Sequence, residues 1–200
     1  MKFYSGDFRL PERFQAVEFI FRPLRASDVE LDFDAVISSS RMLRAWSQSE
    51  WPIDGFTIEE NLADLQRHER EHREKSAFTF TIMNPEETLC LGCIYLSPLS
   101  QEIADLGVCE FSISEGEMFA TSIAFWVRQT HATYAFSSKI LDAIIQWLRS
   151  EWYFNCVVFP VAKVNSMHNQ LFVDGDFVLV GDILYEPRGS HWNIYQIRLN

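Results

Sequence analysis

The stretch Ile123-Ala124-Phe125-Trp126-Val127-Arg128-Gln129-Thr130-His131-Ala132-Thr133-Tyr134-Ala135-Phe136-Ser137-Ser138-Lys139-Ile140-Leu141 decides the reading of this chain. Residues 121–127 are a strongly apolar run that reads as a strand. Ile140, Leu141, Ile144, Ile145 and Leu148 then recur at helical spacing, so residues 137–151 read as an amphipathic helix. Between them lies a loop of small and polar side chains. Unpaired N–H groups at such a junction, with the helix dipole behind them, suit a pyrophosphate. An ordinary strand-to-helix connection has the same pattern, so this segment alone leaves both readings open.

Working outward, residues 18–24 read as a strand that Pro23 places at an edge or at its own end. Ser27 or Asp28 is an N-cap for a helix from Glu30 to about Trp46. Residues 47–56 are a loop, and Thr57 followed by Glu60 forms a capping box for a helix to about Lys75. Residues 77–83 and 89–96 make a hairpin around Asn84-Pro85-Glu86-Glu87. Residues 97–119 are expected to be an irregular insertion with a short strand near 108–113. Beyond the central helix, residues 155–161 are a β-branched buried strand and residues 166–173 a short helix. Residues 177–184 and 192–199 are a closing strand pair around Pro187-Arg188-Gly189. The order implies a mixed α/β domain, one sheet with helices on both faces, over residues 18–200 behind an N-terminal arm of residues 1–17.

At 200 residues the chain is the size of one domain and needs no staple to hold its core. Its 17 Lys+Arg stand against 28 Asp+Glu, a net charge of −11. Nucleic acid and anionic membranes are therefore excluded as expected partners, and an amine-bearing small molecule is compatible. No apolar run reaches membrane-spanning length, and residues 1–10 lack the apolar region of a signal peptide. Cys90, Cys93, Cys109 and Cys156 are read as reduced, mostly buried thiols of a cytoplasmic protein.

His68-Glu69-Arg70-Glu71-His72 fits H-E-x-x-H, but no apolar residue follows Leu65 in that helix and cations surround the imidazoles. A solvated, salt-bridged helix end is the expectation, and no metal is assigned. Cys90-Leu91-Gly92-Cys93 lies within a strand, where an odd offset sends the thiols to opposite faces, so core cysteines are expected. There is no G-x-S-x-G, P-loop or G-x-G-x-x-G.

The central segment resembles the acetyl-CoA motif of the GNAT superfamily of N-acetyltransferases, V-x-P-x-x-R-G-x-G-x-G-x-x-L-L, laid without a gap on residues 127–141. Phe21-Arg22-Pro23-Leu24-Arg25-Ala26-Ser27-Asp28 resembles the opening of the ribosomal-protein and spermidine acetyltransferase branch. Asn165-Ser166-Met167-His168-Asn169-Gln170-Leu171-Phe172 with Asp176-Phe177 resembles that branch's N-x-x-S-x-x-L-Y/L-x-x-x-G-F. The resemblance covers about residue 18 to the C-terminus.

It implies a central, mostly antiparallel, splayed sheet and acetyl-CoA as cosubstrate, with direct attack by an amine of a small molecule or protein N-terminus. Cofactor contacts are then expected from Trp126, Val127, Arg128, Ala132, Thr133, Tyr134, Ala135, Phe136, Ser137, Ser138, Lys139, Asn165 and Phe172. An N–H near Val127 polarises the carbonyl, the amides of residues 133–138 hold the pyrophosphate, and Lys139 or Arg128 supplies the charge absent at Ala132. Glu110 is the candidate base, and His168 and Tyr134 are candidate acids. Trp51, Asp54 and Glu59 are expected to receive the acceptor by stacking and charge pairing. Plainer roles stand beside these: Asn165 as an N-cap, Glu110 as a surface carboxylate, His168 as a solvated helix residue, and Trp51 as a core anchor. The chain departs from the family at Ala132, Ala135, Ser137, Ser122, Phe172 and Asp176. Those departures support the alternative of a weak or silent GNAT-fold module that binds CoA or another protein. A homodimer is left open.

Overall fold

The computed structural model describes Tyr4 and residues 9–108, 120–186 and 188–199. In chain order the strands are β1 (Phe14–Gln15), β2 (Ile20–Pro23), β3 (Phe78–Met83), β4 (Cys90–Ser97), β5 (Ala120–Val127), β6 (Cys156–Ala162), β7 (Val178–Tyr185) and β8 (Ser190–Arg198). The helices are α1 (Val29–Ser38), α2 (Ser40–Ser47), α3 (Ile58–Glu74), α4 (Gln101–Ala104), α5 (Tyr134–Glu151) and α6 (Ser166–Asp174). The strands form one sheet in the order β1-β2-β3-β4-β5-β6-β8-β7. All neighbours are antiparallel except β5 and β6, so the mixed α/β architecture is as read.

On one face, Ile140, Ile144, Trp147 and Leu148 of α5 pack on Phe80, Ile94, Ile123 and Phe125. On the other, Ala35, Val36 and Leu43 cover Ile20, Cys93 and Trp126. Each such fully buried side chain contributes about 1.5–3 kcal/mol by removal from water. The described part of the expected arm is packed onto the domain. Tyr4 is fully buried against Trp152 and accepts the Tyr153 N–H at 3.1 Å, and β1 pairs with β2. Arg22 on β2 holds Asp28 through two bonds of 2.7 and 2.9 Å, fastening the strand to the start of α1.

Three boundaries differ from the sequence reading, each for a local reason. The single helix expected to Trp46 is broken at Ser39, whose fully buried Oγ accepts the Gln129 N–H at 3.0 Å. Its hydroxyl draws the loop after β5 onto the break. The helix α5 begins at Tyr134 rather than 137, because Thr133 caps it by accepting the Phe136 N–H. Beside Met83, the β3–β4 register shifts and Leu91 has no partner. That bulge turns Cys90 and Cys93 towards each other and corrects the opposite-face expectation. Both are free and buried, whereas Cys156 is disulfide-bonded, so four reduced thiols is also corrected. The strand expected near 108–113 falls outside the described residues apart from Val108.

The feature that positions the site is the meeting of β5 and β6. They pair only through Ala120, Thr121 and Ser122 with Cys156, Val157 and Val158, and then part. β6 remains paired with β8 along its whole length. Pro160, with no N–H to give, fits a strand whose side towards β5 is open there.

Gly92 has φ +148°, and a Cβ there meets Trp126 O at 2.0 Å. Gly92→Ala is therefore expected to destabilise the chain by about 2–3 kcal/mol, from strain and steric overlap together. Urea unfolding is the measurement, and a midpoint equal to that of the parent contradicts the close approach of β4 to β5.

Candidate functional site

The parting of β5 and β6 opens two cavities. The first, about 430 Å³, is lined by Arg41 and Trp46 of α2, Val127 at the end of β5 and Ala132 beyond it, the α6 cap Asn165, and His168 of α6. The second, about 410 Å³, is lined by Ser122 and Ala124 of β5, Trp46, Tyr185, Arg188 and Trp192. Trp46 borders both, so they approach one another across its ring. Arg128 N–H donates to Leu91 O at 2.7 Å. Strand alternation then points the N–H groups of Phe125 and Val127 the other way, to the side β6 has vacated.

At the start of α5, Thr133 N–H is spent on His131 O, and Phe136 and Ser137 N–H on the Oγ1 and C=O of Thr133. That leaves the amides of Tyr134 and Ala135 without a partner among the described residues, at the positive end of an 18-residue helix. The pyrophosphate grip expected over residues 133–138 thus narrows to two amides. Ser137 is fully buried, with its Oγ turned inward, so it is no phosphate ligand. Ser138 and Phe136 follow within the helix.

Both proposed cations are ion-paired. Lys139 Nζ is paired with Glu18. Arg128 donates to Asp34 at 2.6 Å. The cation that does line the first cavity is Arg41, which has no ion pair among the described residues. The sequence pattern missed it because it lies far from the loop, on a helix whose placement depends on the break at Ser39.

The expected acids divide. His168 lines the first cavity and stacks on Phe125 at 5.1 Å, 19° from parallel. It is 7% exposed, and burial pushes its pKa down to about 4, so it is a neutral ring rather than a solvated or acidic one. Tyr134 lies outside both cavities and gives its hydroxyl to Asp174, which raises its pKa. Asn165 lines the first cavity, but its Oδ1 accepts the His168 N–H as the N-cap of α6. Phe172 is buried among Phe159, Phe177 and Tyr195, away from the cleft. Glu110 lies outside the described residues.

The acceptor set is not assembled either. Trp51 packs edge-on to Phe56, Asp54 accepts from Arg44 at 2.6 Å, and Glu59 sits in the first turn of α3; none lines a cavity. The loop is held by the core, and Trp46, Tyr185 and Trp192 supply the aromatic walls of the second cavity.

The imidazoles of α3 are less solvated than expected. His68 Nδ1 meets Thr79 Oγ1 at 3.0 Å, and His72 packs edge-on to Phe78 at 5.1 Å, where burial lowers its pKa to about 4. Asp32, Cys90 and Cys93 bring three possible metal-ligand atoms within 4.8 Å of one another. Their polar atoms are already engaged: Asp32 accepts from Asn61 at 3.0 Å and from the Cys93 thiol, and Cys90 meets Thr81. Burial raises the Asp32 pKa to about 6.

No protein-family model and no curated protein sequence matches the chain. Solved structures do. The ribosomal L7/L12 alpha-N-protein acetyltransferase RimL in complex with coenzyme A superposes with a TM-score of 0.73 at 15% identity, over 94% of this chain and 98% of that one. This is the GNAT fold. The ribosomal-protein-S5-alanine acetyltransferase of Vibrio fischeri shares it (TM-score 0.73, 12% identity, 95% and 98% covered). So does the microcin C7 self-immunity acetyltransferase MccE in complex with acetyl-CoA and AMP (TM-score 0.70, 12% identity, 92% and 93% covered). Among the described residues of this GNAT-fold chain, no helix is long and apolar enough to cross a membrane.

A buried neutral imidazole binds fewer protons than its unfolded counterpart between pH 4 and 6.5. His72 and His168 therefore stabilise the fold above pH 6.5, and their contribution is lost as pH falls towards 4. Asp32, with its raised pKa, acts oppositely, costing stability as pH rises from 3.8 to about 6. In His168→Phe, the rise of unfolding temperature between pH 4 and 6.5 is expected to be shallower than in the parent, and an equal slope contradicts the burial of that ring.

Proposed function

We propose that the chain is an acetyl-CoA-dependent N-acetyltransferase in which an amine attacks the acetyl group directly, within a ternary complex. One observation carries the reading: the strands β5 and β6 part beside the N-terminus of α5, opening two cavities that approach each other at Trp46. A thioester cosubstrate and a separate acceptor fit such an arrangement from opposite sides.

The residues present fit coenzyme A. The unpartnered amides of Tyr134 and Ala135 receive the pyrophosphate, beside a cavity wall where the small Ala132 side chain leaves room. Arg41 adds charge from across the cavity. The vacated side of β5, with the N–H groups of Phe125 and Val127, receives the amide-containing arm as an added strand would be received. Asn165 and His168 form the opposite wall. When bound, the thioester supplies an acetyl group already activated for transfer. The Val127 N–H is the donor best aimed at charge developing on the acetyl oxygen. Trp46 excludes water where the two cavities meet.

The described cavity-lining residues include no carboxyl group, and their one imidazole, His168, has a pKa of about 4. It is too weak a base to draw a proton efficiently at neutral pH. Among the described lining residues no base stands ready to take the proton of the acceptor amine, and kcat/KM is expected to climb with pH until the amine is deprotonated. The same observation favours, as a second reading, a module that binds CoA but transfers slowly.

Acetyl-CoA at 100 times its Kd is expected to stabilise the parent chain by about 2.7 kcal/mol. In Ala135→Glu a carboxylate stands among the first-turn amides, which suits the helix but repels a diphosphate. That variant should stay folded and lose at least tenfold in acetyl-CoA affinity by calorimetry, and Arg41→Ala should lose less. Undiminished affinity in Ala135→Glu removes the helix terminus from the site. Binding without acetyl transfer at any pH sinks the enzymatic reading and leaves the module.

A further inference from the structure

We infer that the acceptor is an amine with an apolar or aromatic body and an anionic group, carboxylate or phosphate type, which Arg188 receives at the rim of the second cavity. This rests on the acetyltransferase reading and adds the substrate class.

The described lining of that cavity is Trp46, Trp192, Tyr185, Ile103, Ile183 and two prolines, with serines and one charged group, Arg188. In a chain of net charge −11, a candidate acceptor site whose described walls hold no carboxylate runs against the composition. A cationic acceptor without an anion of its own would find no counter-charge among those described walls. The guanidinium of Arg188 is held in place but not neutralised. It donates to Ser47 O at 3.4 Å, lies 5.8 Å over the Tyr185 ring, and has no ion pair among the described residues. Glu50 borders an adjoining hollow that Arg188 also lines, beyond ion-pair distance. A planar guanidinium with free donors, braced on an aromatic ring, matches the forked geometry of a carboxylate or phosphate. The turn between β7 and β8 carries it across to the end of α2, which contributes Trp46 to both cavities.

The test is acetyl transfer, followed by release of the CoA thiol, to acceptors matched in shape, with each kcat/KM referred to the deprotonated amine because the neighbouring anion also raises the amine's own pKa. At short spacing these are phenylalanine, its amide and its aminophosphonate analogue. At long spacing they are 4-(aminomethyl)benzoate and its amide. The anionic member of a set is expected to exceed its amide at least tenfold in kcat/KM. The aminophosphonate tells a phosphate-type anion from a carboxylate. In Arg188→Ala, an exposed position, the preference should collapse through a tenfold or greater rise in KM for the anion, with the amide and the affinity for acetyl-CoA unchanged. Arg188→Lys should recover part of it. Acetyl-CoA binding measured alongside separates the two proposals. If it fails, the acetyltransferase reading falls and this one with it. If acetyl-CoA binds and the amides match the anions, or the amides alone are acetylated, or Arg188→Ala keeps the preference, the anion site is overturned and the transferase reading stands.

Discussion

The candidate site depends on two parallel strands that are held together at one end and pulled apart at the other. β5 and β6 share three register pairs and no more, while β4 holds β5 from Ser122 to Val127 and β8 holds β6 over its full length. The crossover between them is α5, whose apolar face is packed on the sheet. A parallel pair needs such a crossover. Once it is seated, the strands can diverge without loss of the core, because each retains an antiparallel neighbour. The interior of the sheet then presents unpaired backbone groups to a cleft, a rare circumstance in a folded chain and a ready template for a ligand with amides of its own.

The second face of the sheet sets the walls of that cleft. Ser39 is simultaneously the break between α1 and α2 and the acceptor for the Gln129 N–H, so the loop after β5 and the helix bearing Arg41 and Trp46 are fixed against each other. Beneath them, Trp126 donates its ring N–H to Tyr95 at 3.1 Å, and Asp32, Asn61 and Cys93 form a connected buried group. Burial makes an ion costly there and raises the Asp32 pKa to about 6, while the bonds it accepts from Asn61 and Cys93 favour the charged form.

Charge is distributed by the same logic. Lys139 and Arg128, on either side of the turn before α5, pair with Glu18 and Asp34, which come from distant parts of the chain. Arg41 and Arg188, remote from that turn in sequence, are the guanidinium groups that line the cavities without a carboxylate partner among the described residues. In a chain rich in acids, which cations remain free is decided by which acids folding brings near them.

The sequence by itself determined the element order, the mixed α/β class, the capping box at Thr57 and Glu60, and the strand–turn–helix at residues 121–151, because periodicity and capping are local and survive without tertiary contacts. It also pointed to Val127, Ala132, Asn165 and His168, which do line one cavity. Only the tertiary structure decided that Ser137 faces the core, that Phe172 is buried in an aromatic cluster, that Trp51, Asp54 and Glu59 stand apart from the cleft, and that a bulge turns Cys90 towards Cys93. Each of these turns on which face of an element meets which neighbour. A one-residue shift in a strand, or a hydroxyl captured from a distant loop, reverses that outcome while leaving the local pattern of the sequence unchanged.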